Sequence, residues 1–278
     1  MPLDQFGILM KCKTKSGGNT WYSTAWNNGI SRDLGDGITD PYDPYFKYTN
    51  GNPDMPLEID GTGGAKMEST AGPVSHTRMW VNKTWLNTEM TVYVKRIGTC
   101  DNIGLRSRSK HQQEGDANCL WGGYIVNWNT LDGYSRPEVE ITHPVYDRGL
   151  PSTSFTGKAI PTDRYVGFKQ VTRTAGNKVL VKGYSNYTST ANLSPGSQSQ
   201  KDWVKNAEYV FDGTNSTGVS DDPTVFATCG VTGDNLLGDL TANTLWLNSG
   251  TSCWLRINNT TGFRLRWFSV REIEPIKD

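Results

Sequence analysis

No stretch of this chain approaches the 18 or so consecutive apolar residues that a membrane-spanning helix needs. Charge of one sign is missing too. Lys and Arg total 28 against 28 Asp and Glu, so the basic excess of a general nucleic-acid binder is absent. Neither a membrane nor a nucleic acid is therefore expected as a partner. Helical periodicity is nearly absent, and no internal repeat is visible. Strings that carry familiar chemistry are missing as well. There is no G-x-S-x-G, no P-loop, no dinucleotide fingerprint and no H-E-x-x-H. Serine-nucleophile hydrolysis, nucleotide chemistry and zinc proteolysis are all disfavoured. None of the five cysteines falls in a C-x-x-C pair, which argues against a zinc ribbon or a thioredoxin-like site.

What is abundant is aromatic and turn-forming residues. The 278 residues include 10 Trp, 12 Tyr and 30 Gly. Such aromatic content excludes an intrinsically disordered chain. Short alternating runs are separated by Gly, Asn, Asp and Pro clusters, the pattern of an all-β protein. Strands are expected at Phe6–Lys13, Leu57–Asp60, Ala65–Glu68, Thr88–Ile97, Ile103–His111, Gly123–Trp128, Glu138–His143, Arg164–Arg173, Lys178–Tyr184, Trp203–Phe211, Thr244–Asn248 and Gly262–Ile273. In the last of these Phe263, Leu265 and Trp267 are expected to face the core, with Arg264 and Arg266 outward. No composition break suggests a second domain. The expectation is one antiparallel β-sandwich domain over residues 1–278, with long loops at 29–43, 144–163 and 188–201.

Cys100 and Cys119 flank one segment and Cys229 and Cys253 another, with Cys12 left over. Two loop-closing disulfides are expected, the alternative being five reduced thiols. N-x-S/T sequons stand at Asn82, Asn186, Asn192, Asn215, Asn258 and Asn259. Together these features suit a secreted or cell-surface protein whose signal peptide has been removed.

The closing run Gly-Phe-Arg-Leu-Arg-Trp-Phe-Ser-Val-Arg-Glu-Ile at 262–273 resembles the last strand of concanavalin A-like jelly rolls. The opening Phe-Gly-Ile-Leu-Met-Lys and the Ile-Asp-Gly-Thr-Gly-Gly-Ala-Lys-Met segment are similar to secreted archaeal jelly-roll proteins of no assigned activity. At the level of fold, the resemblance extends to polysaccharide lyases of the alginate and glucuronan type. It implies an antiparallel jelly roll, a polysaccharide ligand and no redox cofactor.

The residues add chemistry to that expectation. In Ile103-Gly-Leu-Arg-Ser-Arg-Ser-Lys-His111, strand alternation puts Arg106, Arg108 and Lys110 on one face. Three like charges on one sheet face repel unless something neutralises them. An anionic polysaccharide is one answer, since the guanidinium fork grips a carboxylate with two hydrogen bonds. The other answer is a cross-strand network with Glu138 and Glu140, which share a face in Pro-Glu-Val-Glu-Ile-Thr-His143.

Three functions follow. In a lyase, Arg106, Arg108 and Lys110 would stabilise the uronate charge, His143 or His111 would take the C5 proton, and Tyr124 or Tyr184 would protonate the leaving oxygen. In a glycoside hydrolase, Glu138 and Glu140 would be the two carboxylates. In a non-catalytic glycan-binding module or adhesin, Tyr124 and Trp128 would stack on sugar rings. Asp33, Asp36, Asp40 and Asp43 crowd one Gly/Pro loop, where a structural calcium ion held by Asp40 and Asp43 is weighed against a solvated acidic loop.

Overall fold

The computed structural model describes residues 2–52, 54–109, 123–142, 145–147, 158–187, 202–211 and 249–276. Among them the chain is almost wholly strand. The first eight strands are β1 (Thr20–Tyr22), β2 (Arg32–Leu34), β3 (Phe46–Thr49), β4 (Leu57–Ile59), β5 (Gly64–Glu68), β6 (Val74–Val81), β7 (Thr88–Arg96) and β8 (Asn102–Ser109). The others are β9 (Gly123–Asn129), β10 (Ser135–Thr142), β11 (Val145–Asp147), β12 (Val166–Ala175), β13 (Lys178–Asn186), β14 (Val204–Phe211), β15 (Ser252–Thr260) and β16 (Gly262–Glu272). One 3-10 turn, Ser23–Asn27, follows β1.

These strands form two antiparallel sheets, an antiparallel jelly-roll β-sandwich. The nine-stranded sheet runs β14-β13-β12-β7-β16-β5-β4-β2, with β1 also on β16. The seven-stranded sheet runs β11-β10-β9-β8-β15-β6-β3. Neighbours far apart in sequence, such as β7 with β16 and β6 with β15, make the jelly-roll crossovers. Apolar residues at every second position build the core: Met90, Val92 and Val94 from β7, Ile103 and Leu105 from β8, Phe263 and Leu265 from β16. A polar bridge crosses it, where Ser107 and Thr172 hydroxyls meet at 2.7 Å.

Several expectations fail for physical reasons. Phe6–Lys13 is not a strand. The Asp4 carboxylate accepts from the amides of Phe6 and Ile8, each at 2.9 Å, and turns the chain. The segment then lies on the outer face of the nine-stranded sheet, where Ile8 joins Tyr93, Tyr165, Trp203 and Trp267 in a second apolar cluster. Strand β6, Val74–Val81, is absent from the expected strands. That strand and β15 are central in their sheet and buried on both faces, so alternation is blurred in both. Cys100 and Cys253 are buried free thiols, so neither expected disulfide is present; Cys119 and Cys229 lie outside the described residues. Asn186, within one sequon, is fully buried. The Thr244–Asn248 strand and the loop at 188–201 also fall outside the described residues.

Candidate functional site

The site grows from an irregularity in β16. Its core-facing residues are Phe263 and Leu265, then Phe268 and Val270. The phase slips by one residue between Leu265 and Phe268. The ladder shows why: Arg266 faces Tyr93 and Ser269 faces Thr91, so Trp267 and Phe268 together oppose Val92 alone. This is a β-bulge. Phe268 takes the core position and Trp267 is turned to the outer face at a φ of 51°. Trp267 was expected in the core, and the bulge is what reverses it. A left-handed backbone at a bulky residue costs on the order of 1–3 kcal/mol and persists only where its surroundings impose it.

Those surroundings are aromatic. Trp267 meets Tyr93 edge-on at 5.3 Å, and Tyr93 meets Trp203 at 5.8 Å. The Arg266 guanidinium lies over the Tyr165 ring at 5.6 Å. Burial raises the Tyr165 hydroxyl pKa, which the neighbouring Arg266 charge partly offsets. Opposite, Phe6 of the N-terminal segment packs edge-on against Tyr22 at 5.3 Å.

The remaining wall comes from two turns tied together. Asp60 accepts from the amides of Thr62 (2.7 Å) and Gly64 (2.9 Å) and shapes the Asp60–Gly64 turn. The Gly63 amide donates to the Trp26 carbonyl and the Gly29 amide to the Gly61 carbonyl, each at 2.9 Å. Gly61 has a φ of +74°, and a Cβ there would stand 2.8 Å from the Ile30 nitrogen, so only glycine permits this approach.

Between these parts lies an open cleft of about 260 Å³, lined by Phe6, Ser23, Thr24, Asn27, Thr62, Gly63, Arg266 and Trp267. It is smaller than the ~300–1,000 Å³ of sites for drug-sized ligands and suits something nearer one ring. Ser23 Oγ and Arg266 Nε are buried with no hydrogen-bond partner among the described residues. Buried polar atoms are rarely left so, and both belong to residues that line this cleft.

The residues expected to act together are dispersed. Arg106 projects from the outer face of the seven-stranded sheet, 4.7 Å over the Trp254 ring. Arg108 does not share that face. A second bulge, with Arg108 at φ 50°, turns it between the sheets. There it donates to the Leu86 carbonyl (2.6 Å), Asn87 Oδ1 (2.9 Å) and Thr174 Oγ1 (2.8 Å). Burial lowers its pKa to about 10. Strand β9 separates β8 from β10, so Arg106 and Glu138 both oppose Ile125 rather than each other. Glu138 instead pairs with Arg136 and accepts from Asn127 at 2.7 Å.

Tyr124 is 2% exposed and Trp128 fully buried, both in the core. Neither can stack on a sugar, and burial drives the Tyr124 hydroxyl pKa up, away from acid duty at neutral pH. Tyr184 sits on the opposite outer face from Arg106, beneath Lys11 at 5.1 Å, its pKa pushed up by burial to about 12. Arg106 and Tyr184 are thus a whole sandwich apart and share no groove. Glu140 lies in β10, paired with Gly123 and Tyr146. Lys110, His111 and His143 lie outside the described residues.

The acidic loop makes hydrogen bonds within the protein. Asp40 grips Arg32 with two bonds, 2.7 Å to Nε and 2.5 Å to Nη2. Asp43 accepts from Trp21 Nε1 at 2.6 Å and Asp36 from the Asn50 amide at 2.7 Å. Among the described residues no three His, Cys, Asp or Glu side chains gather as a metal site.

Sequence reasoning missed Phe6, Ser23, Asn27 and Trp267. The signal for Trp267 was present. Phe263, Leu265, Phe268 and Val270 cannot all face one side of an unbroken strand.

No family model matches this chain, and no curated protein does. Several solved structures are similar to it at low identity. A Bacillus subtilis protein of unknown function with a galectin-like fold is 9% identical at a TM-score of 0.49, covering 89% of this chain and 100% of its own. The carbohydrate-binding module CBM66 of Bacillus subtilis is 9% identical at 0.44, covering 82% and 96%. Lectin II of Ulex europaeus is 6% identical at 0.40, covering 88% and 98%. At such distances what these proteins bind says nothing about this chain.

Proposed function

We propose that this chain is a carbohydrate-binding protein and that its sugar sits in the cleft at the β16 bulge. One observation carries this reading. Trp267 is held at a strained positive φ on the floor of a cleft whose walls supply hydroxyls, an amide and a guanidinium. An aromatic ring ringed by hydrogen-bonding groups is what a sugar requires. The ring π-face meets the axial C–H groups, and the hydroxyls find donors and acceptors around it. Ser23 Oγ and Arg266 Nε, without hydrogen-bond partners among the described residues, mark where polar contacts are still to be made. Binding needs none of the dispersed lyase residues.

The test is titration calorimetry of the wild type and Trp267→Ala against a panel of neutral and acidic oligosaccharides. At least one sugar is expected to bind, and the substitution should weaken it tenfold or more while circular dichroism stays that of the wild type. Equal affinity in Trp267→Ala would move the site elsewhere.

A further inference from the structure

The cleft does not end at Arg266. Two residues earlier on the same outer face of β16 stands Arg264, exposed and pointing the same way. Strand geometry separates the two by about 7 Å. Arg264 lies directly opposite Lys66 on β5 and Lys95 on β7. Cations directly opposite one another in a sheet are mutually repulsive. Lys66 is neutralised by Glu58 at 3.1 Å and Glu68 at 3.3 Å. The nearby acid Asp163 is taken by Arg164 at 2.9 Å. That leaves Arg264, Arg266 and Lys95 with no ion pair among the described residues. The cleft lining includes a single charged residue, Arg266, and no acid.

We infer that the cleft and the adjoining face of β16 bind a sugar chain bearing anionic groups, with Trp267 under one ring, Arg266 gripping the anion of that unit and Arg264 and Lys95 meeting the next. This inference rests on the carbohydrate reading above and adds the charge of the ligand. It accounts for Arg264, Arg266 and Lys95, cations that form no ion pair among the described residues of a chain of zero net charge. A guanidinium recognises carboxylate and sulfate alike through paired donors. The cleft, small and walled mostly by hydrogen-bonding groups, favours a sugar over a nucleic acid.

Four probes decide it: a polyuronate oligosaccharide, its carboxyl-reduced neutral counterpart, a sulfated oligosaccharide and a single-stranded oligonucleotide of equal charge. Each is titrated against wild type, Arg264→Ser, Arg266→Gln and Trp267→Ala, with melting curves confirming the fold. An acidic sugar, carboxylated or sulfated, should bind at least tenfold tighter than the neutral one. That preference should shrink severalfold in Arg264→Ser and vanish in Arg266→Gln, and it should fall with added salt. If neutral and acidic sugars bind alike and only Trp267→Ala weakens both, the inference is overturned while the carbohydrate reading stands. Binding of the oligonucleotide as tightly as the acidic sugar also overturns it. No sugar binding at all overturns both.

Discussion

Beneath the N-terminal segment, on the outer face of β7, the Glu89 carboxylate is fully buried. Its Oε1 stands 2.5 Å from Lys169 Nζ and 2.9 Å from Arg271 Nη2, the latter within ion-pair reach but off the hydrogen-bond line. Both cations are themselves buried, and Lys169 also donates to Thr91 Oγ1 at 2.8 Å. The same carboxylate accepts from the backbone amides of Lys11 (3.0 Å) and Cys12 (2.8 Å), so it also anchors the segment that covers it. Glu89→Gln keeps the shape and removes the charge. Two buried cations then face each other with no anion between them. Breaking a buried ion pair in this way costs about 3–5 kcal/mol. At about 2–4 °C per kcal/mol for a chain approaching this length, the melting temperature should fall by roughly 6–20 °C. Adding Lys169→Met should return part of that loss, because one of the stranded charges is gone.

The same site sets a pH dependence. Burial alone would raise the Glu89 pKa, but Lys169 and Arg271 outweigh it and hold the carboxyl below the usual range. A depressed acid contributes stability that is present above its unfolded value, about 4.3, and lost as pH falls through the folded one. The wild type should therefore lose stability more steeply than Glu89→Gln below about pH 4. Urea denaturation at pH 7 and across that acid range measures both effects. A loss under about 1 kcal/mol at pH 7, or parallel acid profiles, would refute the reasoning, since exposed pairs are worth no more than that.

Three other outcomes are expected. Phe268→Ala, which empties a fully buried core position, should cost about 3–5 kcal/mol, and urea denaturation would show it. In Gly167→Ala the new methyl would stand 2.7 Å from Trp203 Cη2 and 2.9 Å from Tyr93 Cζ, so overpacking should cost about 1–3 kcal/mol on the same assay. Burial pushes the Cys100 thiol up to about 12 and raises that of Cys253 as well, so alkylation at pH 8 should leave both unmodified until guanidinium unfolds the chain, as peptide mass mapping would record.

The strands that reason from sequence finds best are those whose polar and apolar residues alternate, whether or not the polar face is wet. Thr88–Ile97 alternates Val92 and Val94 against Thr91, Tyr93 and Lys95, and β7 realises that alternation. Strands β6 and β15 escaped because the bulky apolar Trp80 and Trp254 stand on the outer face, where polar residues would give the pattern away. The site escaped for a different reason. Candidate residues were chosen by assuming unbroken alternation, and the chain breaks it at Arg108 and at Trp267, both at positive φ. At Arg108 the break removes a cation from a face where it was expected. At Trp267 it places an aromatic ring on a face where none was expected. The physical premise, that adjacent cations on one sheet face call for an anion, was sound but was applied to β8. The row that invites it instead is Lys66, Arg264 and Lys95 across β5, β16 and β7, on which the proposed anionic ligand rests.

That bulge can be tested by subtraction. Deleting Trp267 leaves Leu265 inward, Arg266 outward, Phe268 inward, Ser269 outward and Val270 inward, an unbroken alternation. Arg266 would still oppose Tyr93 and Ser269 would still oppose Thr91, with Phe268 alone on Val92, so every other pair in the β16–β7 ladder keeps its partner. The deletion relieves about 1–3 kcal/mol of backbone strain. It forfeits the contact with Tyr93, worth about 0.5–1.5 kcal/mol beyond the buried area of the ring. Trp267 is only 8% exposed, so its buried area adds a loss of about 4–6 kcal/mol. The balance is unfavourable by a few kcal/mol, with the register of the ladder kept. The deleted chain is therefore expected to fold, with wild-type circular dichroism and a cooperative melt, and to bind no sugar. A chain that fails to fold would show that Trp267 is in the strand for register. Binding that survives the deletion would show that the ring is not the floor of the site.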